Sequence, residues 1–314
     1  MKLLWLDLNS SYAHSSLALP ALHAQIADDT TIEWCIVSAT INENTGMVVS
    51  RIHKHRPDII AATNWLFNHE QLLHIISRAK ALLPHCCIVL GGPEFLGNNE
   101  AFLYKNKFVS GVFRGEGEEV FPQWLKVWNH SKETWKSITG LCYLDENGRY
   151  QDNGIARIMN FSQLVSPEKS CFFNWSKPFV QLETTRGCFN TCAFCVSGGE
   201  KPVRTIPLEA IRERLNDIHQ HGIKNVRVLD RTFNYNNKRA KELLDLFRQY
   251  PDICFHLEIH PALLSDEVKE LLRELPAGLL HLEAGIQSLR ENVLQACRRI
   301  GDLQAGLGGL CCFG

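Results

Sequence analysis

Three cysteines close together in the sequence carry the clearest chemical signal in this chain. Cys188, Cys192 and Cys195 are spaced C-x3-C-x2-C and directly follow an apolar, strand-like run over residues 178–183. Three thiolates within eight residues can hold three corners of a cubane iron–sulfur cluster, and the fourth iron then has no protein ligand. Such an iron can bind a small molecule, so the spacing predicts a reactive cluster in the loop after this strand.

Two other kinds of site would use the same residue types. A structural zinc ion usually takes four protein ligands, and no fourth Cys or His stands at zinc-ribbon spacing here, since His219 and His221 fall in or just after a predicted helix. Free cysteines can also pack as small apolar side chains. Three buried thiols at this spacing, at the start of a loop after a strand, would be a coincidence, and the iron–sulfur interpretation is therefore preferred.

The residues around the cysteines resemble a known signature. Residues 183–195 read ETTRGCFNTCAFC, which is similar to the signature of the radical S-adenosylmethionine (radical SAM) enzymes. The resemblance implies that the open iron chelates the amino and carboxylate groups of S-adenosylmethionine, and that Phe194 lies near the adenine. It also implies a partial (β/α) barrel in which this loop follows the first strand.

The composition agrees with an intracellular enzyme. The chain has 314 residues, 45% of them hydrophobic, which is enough for two domains with cores of their own. Its 12 cysteines, in a chain of this size without an export signal, indicate reduced thiols. The net charge of −1 gives no electrostatic reason to expect a nucleic-acid partner, and the apolar stretch 3–6 is too short for a membrane span. We expect a cytoplasmic protein.

Apolar strand-like runs alternate with segments of helical apolar spacing along most of the chain. This alternation predicts an α/β fold with a doubly wound, Rossmann-like domain over residues 1–128. A hairpin with an Asn-Gly turn and a linker follow over 129–177, then a partial barrel over 178–300 and a tail over 301–314. The strands are predicted at 2–8, 31–38, 58–63, 86–90, 108–113, 179–183, 225–230, 254–259 and 279–286.

Three loops at the carboxyl ends of the N-terminal strands hold residues suited to a ligand, because open parallel sheets bind ligands at that edge. Taken alone, they could be ordinary βα turns. A Gly-Gly-Pro loop, a Gly-Glu-Gly-Glu loop and then a C-x3-C-x2-C domain together resemble the cobalamin-dependent radical SAM enzymes. That resemblance implies a cobalamin site with the candidate residues Asn9, Ser10, Gly91, Gly92, Pro93, Gly115, Glu116 and Gly117.

Two features depart from the family pattern. Many cobalamin domains carry Asp-x-His-x-x-Gly, whose histidine binds cobalt, but here Asp7 is seven residues before His14 and no glycine follows at the required place. We therefore expect cobalamin, where bound, to lack a histidine ligand. The segment 197–200 looks like the Gly-Gly-Glu element that holds the S-adenosylmethionine ammonium, but it directly follows Cys195, so that role is not carried over.

The ends of the predicted barrel strands supply the remaining candidates, because parallel barrel strands end at the catalytic face. Asp230 begins a stretch similar to the Asp-x-x-Phe of cobalamin-dependent members, and Glu258 ends the third strand. Glu283, Gln287 and Ser288 belong to an element similar to the family's Gly-x-Gln-Ser. The resemblance implies that these side chains contact S-adenosylmethionine.

The implied activity is generation of a 5′-deoxyadenosyl radical for methyl transfer or another C–H functionalisation of an unidentified substrate. It requires an external one-electron donor such as flavodoxin or ferredoxin. Two alternatives stay open. The N-terminal domain of a radical SAM enzyme could lack cobalamin, or the chain could be a truncated, non-catalytic cofactor-binding fragment.

The C-terminus motivates the second alternative. Four strand–helix units follow residue 179, and family barrels have more. Residues 301–314 contain five glycines and one charge, a composition that predicts neither a capped helix nor a strand. From this we expect a C-terminally truncated chain with an aberrant tail.

Overall fold

A computed structural model describes residues 1–13, 16–197 and 200–310. His14 and two residues of the 197–200 segment therefore lie outside the described residues. The chain divides into two compact units, Met1–Phe173 and Asn174–Gly314. Each unit is an α/β structure with its own sheet.

The N-terminal unit is built on a mixed sheet that contains seven strands within the described residues. They are β1 (Lys2–Asn9), β2 (Glu33–Thr40), β3 (Ile59–Thr63), β4 (Cys87–Gly91), β5 (Gly111–Phe113), β6 (Leu141–Leu144) and β7 (Tyr150–Asp152). The strand order is β2-β1-β3-β4-β5-β6-β7, with β1 to β5 parallel and the last two antiparallel. The order reverses between β1 and β3, which makes the carboxyl ends of these two strands a switch point where ligands bind in open sheets.

Helices cover both faces of this sheet. They are α1 (Ala18–Ala24), α2 (Thr45–His55), α3 (His69–Leu82), α4 (Glu100–Lys105) and α5 (Val120–Leu125). Successive side chains of a strand point to opposite faces, so Leu4 and Leu6 join one apolar cluster while Leu3 and Trp5 join the other. The near-continuous apolar run of β1 is thereby explained, because both of its faces are buried.

The predicted hairpin forms, but it belongs to the N-terminal sheet. β6 pairs with β5, and Gly148 adopts the positive φ angle (74°) that its turn requires. Trp135 and Tyr143 are buried, and the rings of Trp124 and Trp135 meet edge to face with centroids 5.7 Å apart. Because residues 129–173 bury apolar side chains against the sheet, they belong to the same compact unit, Met1–Phe173.

The C-terminal unit contains a parallel sheet and a two-stranded antiparallel pair. Its strands are β8 (Val180–Leu182), β9 (Thr185–Arg186), β10 (Arg204–Thr205), β11 (Asn225–Val228), β12 (Cys254–Ile259) and β13 (Leu280–Ala284), and its helices are α6 (Leu208–Gln220), α7 (Asn237–Phe247), α8 (Asp266–Glu274), α9 (Glu291–Ala296) and α10 (Leu303–Leu310). The parallel sheet has the order β13-β12-β11-β8, and β9 pairs with β10. Strands alternate with helices, as the predicted partial barrel requires.

One face of the parallel sheet is buried under helices. Along β12, Phe255, Leu257 and Ile259 are buried, and Phe255 stacks on Phe247 of α7 with centroids 4.1 Å apart. The alternate residues His256 and Glu258 lie on the other face and are partly exposed. The alternation therefore separates a packed face from a polar face of this sheet.

The tail differs from the sequence-based expectation. Helix α10 forms where neither helix nor strand was expected, and its glycines explain how it packs. A Cβ atom on Gly309 would lie 2.2 Å from the carbonyl oxygen of Pro261, so only glycine allows this close approach. Residues 311–314 lie outside the described part of the chain.

None of the helices that the structure describes has the length and apolar composition needed to cross a bilayer.

Candidate functional site

The three cysteines lie in a loop whose base is fixed by backbone contacts. Gly187 has a φ angle of 94°, and a Cβ atom there would lie 2.4 Å from the carbonyl oxygen of Glu200. The next residue, Cys188, donates its backbone N–H to the same oxygen at 3.0 Å. Pairing of β9 with β10 closes the loop further. Glycine is therefore required where the strand turns into the loop.

The thiols of this loop lie near one another. Cys188 and Cys192 are buried, Cys195 is exposed, and all three are free thiols. Burial raises the pKa of the Cys188 thiol, a nearby backbone N–H opposes the rise, and Cys195 and Cys192 add to it as neighbouring acidic groups. Free thiols at this spacing fit an iron–sulfur cubane with one open iron.

The described residues do not form a site for a single metal ion. Within the described residues, no three His, Cys, Asp or Glu side chains are grouped to hold one metal ion. A cubane cluster needs its three thiolates farther apart than a single ion does, because each thiolate binds a different iron.

Asp230 ties the end of β11 to the segment that leads into the cysteine loop. It is 1% exposed, and one carboxylate oxygen accepts the backbone N–H groups of Thr184 (2.8 Å) and Thr185 (2.9 Å). The other oxygen accepts the Thr184 hydroxyl. Burial raises the pKa of Asp230, and these bonds from Thr184 and Thr185 oppose the rise. Both oxygens are thus engaged inside the protein, and contact of Asp230 with S-adenosylmethionine stays a prediction.

Glu183 and Arg186, which flank the two threonines that bind Asp230, form an ion pair that the sequence analysis did not predict. Arg186 Nη2 is 2.7 Å from Glu183 Oε2, and the buried Arg214 donates to the Glu183 carbonyl at 3.4 Å. Burial disfavours the charged Glu183 carboxylate, yet Arg186, with Arg214 and Arg231, holds its pKa below the ordinary value. The strand-to-loop segment is therefore held by charge as well as by backbone pairing.

The structure brings two predicted carboxylates together on the polar face of the sheet. Glu258 and Glu283 are paired in register on β12 and β13. Arg227 of β11 lies 3.7 Å from an oxygen of each, and His256 lies 3.0 Å from Glu283. Arg227 and His256 were missed, although their alternation with buried strand residues is visible in the sequence.

The other predicted S-adenosylmethionine contacts lie in loops. Phe194 is 57% exposed, so its ring is available to a ligand. Gln287 has a positive φ angle (71°), and its Nε2 would lie 2.4 Å from a Cβ atom on Gly285. The Ser288 hydroxyl accepts the backbone N–H of Arg290 at 3.1 Å. These three roles stay predictions.

A segment after β13 contacts the cysteine loop, which the sequence did not indicate. The backbone N–H of Ala193 donates to the carbonyl of Cys297 at 2.9 Å. The backbone N–H of Ile300 donates to Asn190 Oδ1 at 3.2 Å. The cysteine loop is thus held from two sides within the C-terminal unit.

The N-terminal candidates lie at the carboxyl edge of the first sheet. The buried Asn9 donates its side-chain amide to Asp7 at 2.7 Å, and Ser10 is partly exposed. Asn68, which the sequence did not single out, donates to the Leu8 carbonyl at 2.9 Å and to the Thr63 carbonyl at 3.1 Å. Asn68 therefore links the ends of β1 and β3 at the switch point.

The two glycine loops make close contacts inside the unit. Gly92 has a φ angle of 112°, and its Cβ would lie 2.5 Å from the Asn64 carbonyl; Pro93 begins a 3-10 turn. At the neighbouring Gly91, a Cβ would only touch Phe113 at 4.0 Å. The requirement for glycine at position 92 therefore comes from the approach to the loop after β3.

The Gly-Glu-Gly loop behaves similarly. A Cβ on Gly115 would lie 2.2 Å from the Ala156 carbonyl, and one on Gly117 would lie 2.9 Å from a methyl carbon of Leu22. Glu116 accepts the backbone N–H of Ile158 at 2.7 Å. This loop holds the chain segment after β7, and its predicted contact with cobalamin stays untested.

Other groups at this edge fit a large flat ligand with amide edges, as cobalamin is. Tyr12 and Leu66 are 78% and 82% exposed, and Phe67 is 38% exposed and stacked on Trp65. Apolar and aromatic side chains together with a few polar groups are the combination that small-molecule sites use. The residues present therefore fit the predicted cofactor, although the expectation for His14 concerns a residue outside the described part of the chain.

Two protein-family descriptions match the chain. The B12 binding domain matches residues 8–125, which contain the carboxyl-edge loops of the first sheet. The Radical SAM superfamily matches residues 182–305, which contain the three cysteines. The chain contains a B12-binding domain and a radical SAM domain. The predicted family, fold class and set of cofactor-binding domains are confirmed.

Curated proteins that are similar to this chain include methyltransferases. It is 27% identical over 254 residues to the uncharacterized methyltransferase PH0819 of Pyrococcus horikoshii, covering 78% of this chain and 54% of that protein. It is 26% identical over 180 residues to the hopanoid C-3 methylase of Methylococcus capsulatus, covering 54% of this chain and 34% of that protein. The chain thus spans about half, or less, of the length of these relatives.

Solved structures share the fold. The cobalamin-dependent S-adenosylmethionine radical enzyme OxsB, with aqua-cobalamin and S-adenosylmethionine bound, matches with a TM-score of 0.80 at 16% identity over 99% of this chain and 47% of that chain. The radical S-adenosylmethionine methyltransferase TsrM of Kitasatospora setae matches with a TM-score of 0.76 at 15% identity over 99% of this chain and 65% of that chain. At these identities the likeness shows the fold alone.

Proposed function

We propose that this chain carries the catalytic core of a cobalamin-dependent radical SAM enzyme that methylates, or otherwise functionalises, an unactivated carbon of its substrate. The observation that carries this proposal is the cysteine loop itself. Three free thiols lie in one loop that Asp230 and Glu200 fix, and the same chain contains a B12-binding domain.

The cofactors and the protein contribute different parts of the activity. When bound, the cluster and S-adenosylmethionine supply a 5′-deoxyadenosyl radical, and methylcobalamin supplies a methyl group. Cys188, Cys192 and Cys195 would hold the cluster, and the exposed ring of Phe194 would stack near the adenine. The protein's own work is orientation of the ligands and exclusion of water.

The polar face of the C-terminal sheet supports binding of a polar ligand by this unit. Arg227 links the two carboxylates of this face. Its Nη2 lies 3.7 Å from one oxygen of Glu258 and 3.7 Å from one oxygen of Glu283. Their side chains are 40–58% exposed, so they remain accessible to a polar ligand. We assign Glu258 and Glu283 to S-adenosylmethionine, with Arg227 bridging the two carboxylates and offsetting their mutual repulsion.

The proposed partners follow from the chemistry. Reduction of the cluster requires an external one-electron donor, for which we propose a flavodoxin or a ferredoxin. Reduced thiols and an oxygen-sensitive cluster favour the cytoplasm.

The decisive experiment is anaerobic reconstitution with iron, sulfide and hydroxocobalamin, followed by addition of S-adenosylmethionine and a strong reductant. We expect roughly four irons per chain, retained cobalamin after gel filtration, and release of 5′-deoxyadenosine. Cys192→Ala should abolish iron uptake and product, whereas Cys254→Ala, at the far end of β12, should change neither.

The outcomes separate the alternatives. Stoichiometric zinc without iron uptake would contradict the cluster assignment. Product formation without cobalamin retention would favour a radical SAM enzyme that does not use cobalamin. A loaded protein that retains both cofactors and releases no 5′-deoxyadenosine would identify a non-catalytic cofactor-binding fragment.

A further inference from the structure

Asn190 lies between the first two cysteines of the loop and is almost completely buried. It is 4% exposed, and its backbone N–H lies at the Cys188 sulfur, where it opposes the burial that raises the pKa of that thiol. Asn190 therefore lies next to the Cys188 sulfur in the cysteine loop, and its side chain is buried within the C-terminal unit. An asparagine amide in such a place must satisfy one oxygen acceptor and two N–H donors.

The oxygen of this amide is satisfied. Oδ1 accepts the backbone N–H of Thr191 at 2.9 Å and that of Ile300 at 3.2 Å. The second donor comes from a residue 110 positions along the chain. Two backbone donors fix the orientation of the amide, because exchange of oxygen and nitrogen would place the NH2 group against two N–H groups.

The nitrogen of the same amide is not satisfied by the protein. Nδ2 is buried and has no hydrogen-bond partner among the described residues. A buried donor left without an acceptor costs about 1–3 kcal/mol, and such groups in a native structure require an explanation. The group that this loop is spaced to hold offers acceptors, because the thiolate and bridging sulfide sulfurs of an iron–sulfur cluster accept N–H hydrogen bonds.

We propose that Asn190 Nδ2 donates a hydrogen bond to a sulfur of the iron–sulfur cluster and thereby raises its reduction potential. Nothing covalent is formed or broken. The effect follows from charge: the reduced cluster carries one more negative charge, so a donor directed at its sulfurs stabilises the reduced form more than the oxidised form. Asn190 acts as a positioning and tuning residue, and the inference rests on the proposed function, since it requires the cluster.

The wild-type protein provides the first test. It is prepared with asparagine labelled with ¹⁵N only at the side-chain amide, reconstituted with iron and sulfide, and reduced. Pulsed electron paramagnetic resonance should detect a ¹⁵N coupling to the reduced cluster that is missing from unlabelled protein and from labelled Asn190→Asp. Iron analysis of the same sample shows whether a cluster was assembled. A sample without a cluster would overturn the proposed function together with this inference, whereas a full cluster without the coupling would overturn this inference alone and indicate that a buried water satisfies the amide.

The second test measures the midpoint potential of the cluster by redox titration. Asn190→Asp keeps an oxygen acceptor for Thr191 and Ile300 but removes the donor, and Asn190→Leu removes the amide without adding a charge. Both should shift the potential to more negative values. Asn225→Leu, at the amino end of β11, should leave it unchanged. An unchanged potential in both Asn190 variants at full iron content would overturn the proposal.

Discussion

Asp230 shows how one buried side chain can control a loop that it does not belong to. Its carboxylate accepts two backbone N–H groups and one hydroxyl from Thr184 and Thr185, which lie four and three residues before the first cysteine. Hydrogen bonds to charged groups contribute about 1.5–3 kcal/mol each. The same residue could be named from the sequence as a candidate, but its place beneath the loop could not.

Replacement of Asp230 by Ala should lower the free energy of unfolding of the C-terminal unit by roughly 3 kcal/mol or more, because it leaves buried donors without an acceptor. Urea denaturation followed by circular dichroism measures this, and iron content after reconstitution should fall in parallel. Asp252→Ala, an exposed aspartate before β12, is the matched control. Equal stability of the two variants would show that the loop is held by other contacts.

Glu183 makes the stability of the C-terminal unit depend on pH in the acid range. Burial disfavours its charge, but Arg186 and its neighbours hold the folded-state pKa below the ordinary value. The resulting stabilisation is fully present above the unfolded-state pKa of about 4.3 and is lost as the pH falls through the folded-state value.

The stability difference between wild type and Glu183→Gln should therefore be largest near neutral pH and shrink below about pH 4. Urea unfolding at a series of pH values measures it. Glu213→Gln, on the exposed side of α6, should show no such trend. A difference for Glu183→Gln that stays constant with pH would mean that its carboxylate is not stabilised by the arginines.

At the scale of secondary-structure elements, the turn from β9 into the cysteine loop depends on Gly187. Its φ angle is positive, and the space for a Cβ atom is filled by the backbone of Glu200 and Pro202. Gly222, at the turn after α6, also has a positive φ angle (70°) but no atom within 4 Å of a Cβ position. Substitutions at these two glycines therefore distinguish the cost of a positive φ angle, which both share, from the cost of steric overlap, which only Gly187 has.

Gly222→Ala should cost about 1–2 kcal/mol, the usual cost of a left-handed conformation for a residue with a Cβ atom. Gly187→Ala should cost more and should also reduce iron uptake, because relief of the overlap displaces the loop. Thermal unfolding and iron analysis of both variants test this. Normal iron content in Gly187→Ala would show that the loop tolerates the shift.

At the scale of the whole molecule, each unit closes its own core, and the N-terminal unit needs the chain beyond its five parallel strands. Residues 129–173 add two antiparallel strands and bury Trp135, Leu141 and Tyr143. Burial of one large apolar side chain contributes about 1.5–3 kcal/mol. Without this segment, β5 would also become an edge strand.

A fragment of residues 1–173 should therefore unfold cooperatively, whereas a fragment of residues 1–128 should be less stable by roughly 3 kcal/mol or more and prone to association. Urea unfolding monitored by tryptophan fluorescence, with size-exclusion chromatography of both fragments, measures the difference. Equal stability would restore the shorter boundary predicted from the sequence.

Local spacing was sufficient to predict much of this protein. Cys188, Cys192 and Cys195 must lie close together wherever the chain goes, because few covalent bonds separate them. Apolar periodicity likewise predicted most strands and helices, since a strand buried on both faces or a helix with one apolar face leaves a local pattern. The family resemblance rested on the same contiguous residues.

Tertiary structure decided what depends on distant partners. Arg227 meets Glu258 and Glu283 only because β11, β12 and β13 are neighbours in the sheet. Ile300 fixes the Asn190 amide from 110 residues away. Bringing such distant residues together costs conformational entropy, which contacts across the whole fold must offset. A local sequence pattern therefore does not indicate these contacts. The sequence by itself therefore determined which groups could hold a cluster and cofactors, and only the folded structure determined which side chains hold those groups in place.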